Sequence, residues 1–138
     1  MVSAKCPLCT IYLVEANSNQ WSDLEAAEKE AVALGATIVS NSYSGSGASQ
    51  SDFDTKHVTY LASSGDGGYG IADPADFGSV VAVGGTRGWT ETVWSGAGAG
   101  DSTSQNGGRT FWKAKNQKHL YPIPSGSDGS CGGSYLCT

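Results

Sequence analysis

Basic residues are scarce in this chain. Eight Lys and Arg stand against thirteen Asp and Glu, a net charge of −5. A protein that neutralises a phosphate backbone needs the opposite balance, so nucleic acid is excluded as a partner. The deficit is uneven. Residues 1–108 carry four basic and twelve acidic side chains, net −8, whereas residues 109–138 carry four basic and one acidic, net +3. The basic run RTFWKAKNQKH reads as a solvated strand or loop rather than a binding arm. No run is apolar and long enough to span a bilayer, so no membrane association is expected. The opening MVSAKCP lacks a charged n-region followed by an apolar h-region. The expectation is therefore that a leader was removed or that the chain is a piece of something longer. Histidine is limited to His57 and His119, and no G-x-S-x-G elbow occurs. Ser/His/Asp triads can be written from either histidine, but two histidines in such a chain read more simply as surface residues.

Cysteine is also sparse, with four residues in two close pairs, Cys6/Cys9 and Cys131/Cys137. Four thiols allow three pairings. The five-residue gap in the second pair lies outside the usual zinc-knuckle spacing of about two to four. A redox C-x-x-C should open a helix, yet CPLC leads into a β-branched run. Two local disulfides are the preferred reading, with a four-cysteine zinc site as the minority one. No cofactor is expected.

At 138 residues the chain suits one domain with its own core. Ser, Thr and Gly are dense, with twenty glycines, a composition common in secreted microbial proteins. TIYLVEA (10–16) reads as a buried strand. Ser22 and Glu25 form a capping-box pattern. Leu24, Ala27, Ala31 and Leu34 then recur at helical spacing, and Gly35 stops the run. Glu25 and Lys29 make an i,i+4 pair. ATIVSNSY (36–43), HVTYLAS (57–63), SVVAVGGT (79–86) and ETVW (91–94) read as further strands, the last a hairpin partner of the one before. A short helix is expected from about Ser49. Strand, helix and strand at these spacings form a βαβ unit, hence parallel pairing. The expected fold class is α/β, a mostly parallel sheet of four or five strands with flanking helices over residues 1–98. Residues 99–138 read as a Gly/Ser-rich linker and an irregular C-terminal tail.

The chemistry centres on YLASSGDGGYG, where Asp66 sits among glycines after an apolar strand. Gly65, Gly67 and Gly70 match a dinucleotide fingerprint, but IADPADFGS follows without helical periodicity. The pyrophosphate would have no helix N-terminus to rest on, so nucleotide binding is rejected. A plain reading remains, in which Asp66 caps the backbone of a turn. Against it, ligands of open α/β sheets gather at the carboxyl ends of strands. SYSGSG, EANSNQ and the Asp66 loop share that rim. Glu15 is the only acid placed to approach Asp66; it reads more simply as a solvated strand-end acid. His57 falls at the opposite rim. His119, Ser102 and Ser104 fall in the linker and tail.

The stretches CPLCTIYLVEANSNQWSDLEAAEKEAVALGATIVSNSYSG, SSGDGGYG, DPADFGSVVAVGGT and ETVWSG resemble, in order, the sedolisins, serine-carboxyl peptidases of subtilisin-like fold. SGSDGSCGGSYLCT resembles a separate segment near that family's C-terminus. The resemblance implies a truncated subtilisin-like fold and a secreted protein. It gives Asp66 the oxyanion role, which a carboxyl fills only when protonated, and therefore in acid. It also implies that Ser42, Tyr43, Gly45 and Gly65 bind a substrate backbone as an added strand. Ser44 stands where the family has a glycine. The family's Glu/Asp pair precedes the CP.C position, its nucleophile lies in a G-T-S-x-x-x-P segment, and neither occurs here; its calcium ligands are missing too.

Two functional expectations follow. One is a hydrolase with weak activity on peptides or small esters, built on Asp66 and backbone donors. The other is a non-catalytic remnant or binding module of the same fold. A sheet edge left open would also favour self-association.

Overall fold

The computed structural model describes residues 2–98 other than Tyr69, Thr90 and Glu91. The linker and tail, with Ser102, Ser104, His119, Cys131 and Cys137, lie outside the described residues.

A single turn, α1 (Val2–Lys5), opens the chain and is closed by a Cys6–Cys9 disulfide. That bond removes both thiols from the four-cysteine zinc alternative. TIYLVEA forms no strand: Ile11 is 52% and Leu13 84% exposed, and the run belongs to no strand of either sheet. β-Branched composition records a fit to a pleated surface, but a strand also needs a neighbour to ladder with.

The main helix, α2 (Trp21–Ala33), begins one residue before the expected cap. Gln20 is the N-cap and makes no side-chain capping bond. Ser18 acts from outside instead. Its hydroxyl accepts the Gln20 N–H at 3.1 Å and donates to Asp23 Oδ2 at 2.6 Å. The C-terminus closes as a Schellman motif. The Ala36 N–H reaches Ala31 O at 3.1 Å and the Gly35 N–H reaches Val32 O at 2.9 Å, with Gly35 at φ 91°. Only glycine takes that backbone without a Cβ penalty.

Three parallel strands follow: β1 (Ile38–Asn41), β2 (Thr59–Ser63) and β3 (Val80–Val83), in the order β1-β2-β3. The expected four or five strands are corrected to these three plus a separate antiparallel pair, β4 (Thr86–Arg87) and β5 (Thr92–Val93). ETVW is a hairpin partner as expected, but of Thr86–Arg87 alone. Gly84 and Gly85 break the longer strand, because Trp94 and Ala97 lie against them; a Cβ on Gly85 would sit 3.2 Å from Trp94. The α2 helix precedes the sheet rather than crossing between two of its strands. The β1–β2 connection holds only a 3-10 turn, Gln50–Phe53. His57 does not open β2. It sits two residues ahead in a turn, at φ 66°.

One face of the sheet carries the core. Phe53, Tyr60, Ala62, Ala75, Phe77, Val80 and Ala82 are buried together, with Trp21 and Val32 of α2 against them. Phe53 is fully buried, with Tyr60 edge-on and Phe77 tilted, each ring centre 5.8 Å away. The Tyr60 hydroxyl donates to Thr55 Oγ1 at 3.0 Å, so its polar end is satisfied. Strand side chains alternate, so Ile38, Val81 and Val83 project from the opposite face, where they are 66%, 48% and 46% exposed. Among the described residues nothing covers that face. No described helix is long and apolar enough to cross a membrane.

Candidate functional site

The carboxyl ends of the three strands define the site. A cleft of about 230 Å³ opens there, lined by Ser40, Asn41 and Ser42 at the end of β1, Leu61, Ala62 and Ser63 of β2, and Val83 of β3. The parallel register pairs Ser40 with Leu61 and Ser63 with Val83. These four residues therefore share the uncovered face. Hydroxyls and one amide border apolar side chains, and no ionisable group lines the cleft.

The loop after β1 is held down from several directions. Gly45 and Asp73 exchange both backbone hydrogen bonds, each at 3.0 Å. One carboxylate oxygen of Asp73 accepts the N–H groups of Gly47 at 2.7 Å and Ala48 at 3.1 Å. Glu25 Oε1 accepts the Ser49 N–H at 2.7 Å, and the Trp21 indole donates to Ser46 O at 2.7 Å. Gly45 is a glycine because Trp21 lies beneath it; a Cβ would fall 3.2 Å from the indole.

Beneath this loop Glu28 is buried, 4% exposed, and accepts the Tyr43 hydroxyl at 2.7 Å on Oε1. Its Oε2 is buried as well, as is the Asn41 Nδ2. Burial raises the Glu28 pKa above its ordinary value, and the Tyr43 bond and then the Asn41 amide offset part of that rise. Tyr43 is raised as well, first by burial, then by its bond to Glu28, then by the charges of Glu28 and Glu25. It stays a protonated donor. Its ring meets Trp21 edge-on at 5.9 Å.

The loop after β2 starts with buried Ser64, whose N–H reaches Val83 O at 3.0 Å. Gly65 turns the chain at φ 108°, and its carbonyl accepts the Gly98 N–H at 2.8 Å. Gly98 lies so close to the Ser64 backbone that it has no room for a Cβ. Asp66 follows on the exposed rim, and its carboxylate accepts no hydrogen bond from any described residue.

The structure thus places the sequence-derived candidates as follows. Ser42 lines the cleft. The Tyr43 hydroxyl is committed to Glu28, and both backbone groups of Gly45 are committed to Asp73, which leaves neither free to take a substrate strand. Gly65 shapes the turn and uses its carbonyl internally. Asp66 is exposed beside the cleft without lining it. Glu15 is exposed and makes no ion pair or hydrogen bond among the described residues. Lys29 pairs with Asp52 at 3.2 Å rather than with Glu25. Cys6 and Cys9 are bonded at the opposite extremity of the chain from Cys131 and Cys137.

No family model matches the chain, and no curated protein matches it. A solved structure described as that of prenylagaramide maturation protease PagA is similar at 22% identity and a TM-score of 0.49, over 67% of this chain and 37% of that one. This chain therefore corresponds to about a third of that protein's length. These results overturn the sedolisin assignment: the similar structure is described as a prenylagaramide maturation protease, and no family model or curated protein matches the chain. The motifs that suggested it have local explanations. SGD and VGGT supply a buried serine, a glycine at positive φ, and two glycines packed against Ala97, one of them also against Trp94, which are demands of this loop packing.

Sequence reasoning missed Glu28, Asn41, Asp73 and Ser63. A signal for Glu28 was present: it stands four residues after Leu24 and three before Ala31, inside the apolar stripe. An acid in that stripe is buried when the stripe is.

Proposed function

We propose that the chain is a recognition domain whose cleft receives one small or apolar, uncharged side chain of an extended peptide. The observation that carries this is the cleft itself, at the carboxyl ends of parallel strands, bordered by Ser40, Ser42 and Ser63 over Leu61 and Val83. Hydroxyls can bond a peptide main chain while the apolar side chains accept a side chain. Its volume of about 230 Å³ lies below the ~300–1,000 Å³ of drug-sized sites, which suits a single side chain. Titrating a neutral peptide library against the ¹⁵N-labelled protein should shift the amides of Ser42, Leu61, Ser63 and Val83. Ser63→Phe fills the cleft and should weaken the best binder at least about tenfold, a loss of about 1.4 kcal/mol. Shifts confined to other surfaces would refute the assignment.

A second reading is a weak hydrolase, favoured by the carboxylate of Asp66, which stands at the rim unengaged as a turn brace. Protonated, it could donate to an oxyanion. On this reading the wild type hydrolyses esters faster than Asp66→Ala does. Equal background rates in wild type and variant at every pH leave recognition as the function.

A further inference from the structure

TIYLVEA (10–16) has the composition of a strand and none of its bonds. No main-chain group in it makes a hydrogen bond among the described residues. Ile11, Tyr12 and Leu13 are 52%, 49% and 84% exposed. Its exit into α2 is fixed, since Ser18 accepts the Gln20 N–H and donates to Asp23. On that path the segment joins neither sheet. The same chain has a strand with an open side. β1 ends the order β1-β2-β3 and pairs with β2 alone. The Thr59 N–H donates to Thr37 O at 2.9 Å, which sets the alternation. Thr37, Val39 and Asn41 turn their main-chain groups toward β2, and Ile38 and Ser40 turn theirs outward. No described residue bonds those outward groups. Edges of this kind are usually blunted by lysine or proline, and β1, with the sequence IVSN, has neither.

We propose that two copies of the chain associate by exchanging these elements, TIYLVEA of each copy adding as a strand to the β1 edge of the other. Each addition gives the donor the ladder it lacks and closes the acceptor's edge. The occupant is a second copy because donor and edge occur on one chain in equal number. A strand from another protein would cover β1 and still leave TIYLVEA bare. One donor and one edge per copy also make the contact isologous, so it closes at two. Seven residues of the donor and four of β1 enter from each copy. That is about half of the ~20–30 residues a side of a standard interface, so the dimer is reversible and depends on concentration. It does not depend on what the cleft binds.

Sedimentation of the full chain from about 1 μM to about 1 mM should show monomer passing into dimer. In an equal mixture of ¹⁵N- and ¹³C-labelled chains, NMR filtered for contacts between labels should connect residues 10–16 of one copy with β1 of the other. Tyr12→Pro and Leu13→Pro, made separately, cover both alternations of the donor, since one of two neighbouring N–H groups faces the acceptor. At least one of them should weaken association about tenfold or more. Neither touches a bond within the monomer, so unchanged β2 amide shifts are expected. Ile38→Pro removes an outward N–H and spares the β1–β2 ladder, and should weaken association likewise. A chain that stays monomeric up to about 1 mM overturns the proposal. So do contacts found only within one copy, which would put TIYLVEA on its own β1, and a dimer that none of the three variants weakens.

Discussion

Replacing Phe53 with Ala should lower stability by about 3–5 kcal/mol, the range for deleting a large aromatic from a packed core. The ring is fully buried and joins three separate segments: its own 3-10 turn, β2 through Tyr60, and the 74–77 region through Phe77. Collapse into the space is limited, since Tyr60 is held at its hydroxyl by Thr55 and Ala75 is too small to fill it. Net domain stability is about 5–15 kcal/mol, so this one change removes a large share of it. Denaturant midpoints at constant m-value measure the loss. Phe53→Leu keeps most of the volume and should cost less than half as much. A Phe53→Ala loss below about 1 kcal/mol would mean that the three-ring cluster is not the centre of the core.

The second large effect belongs to Glu28. Glu28→Ala leaves the half-buried Tyr43 hydroxyl without its acceptor, a cost of about 1 kcal/mol. Glu28→Gln keeps an acceptor for Tyr43 and removes only the ionisation. The sign of the pH dependence follows from the direction of the shift. Burial raises the folded-state pKa of Glu28 above its unfolded value. The folded protein therefore binds this proton more tightly than the unfolded chain does. The stability so contributed is fully present below the unfolded value and is lost as pH rises through the folded one. Wild type should accordingly fall behind Glu28→Gln as pH rises from about 4 to about 8, with the two closest in acid. Thermal midpoints of both proteins across that range decide it. A constant gap would show that Glu28 keeps the same proton affinity in both states.

These two residues also mark how far the chain could be read in one dimension. The helix was legible because its apolar stripe and Gly35 are local features, each with a physical demand inside a single turn or cap. The three parallel strands were legible because β-branched runs bounded by glycine and serine have few other uses. TIYLVEA satisfied the same local rule and still forms no strand, because pairing is a property of two segments and only one of them is in the run.

The site divides along the same line. Composition gave only the expectation that nucleic acid and membrane are not partners, and the rim location of SYSGSG and the Asp66 loop followed from strand direction alone. Short motifs then led to the wrong family, because SGD and VGGT answer local backbone and packing requirements. Which groups are free and which are engaged was decided only by packing. Tyr43 and Gly45 are spent on Glu28 and Asp73, partners 15 and 28 residues away, and Asp66 is left unbonded. Local spacing governs a helix or a turn, since its contacts lie within a few residues. A hydrogen bond between distant segments exists only once burial has brought them together, and no short stretch of sequence carries that information.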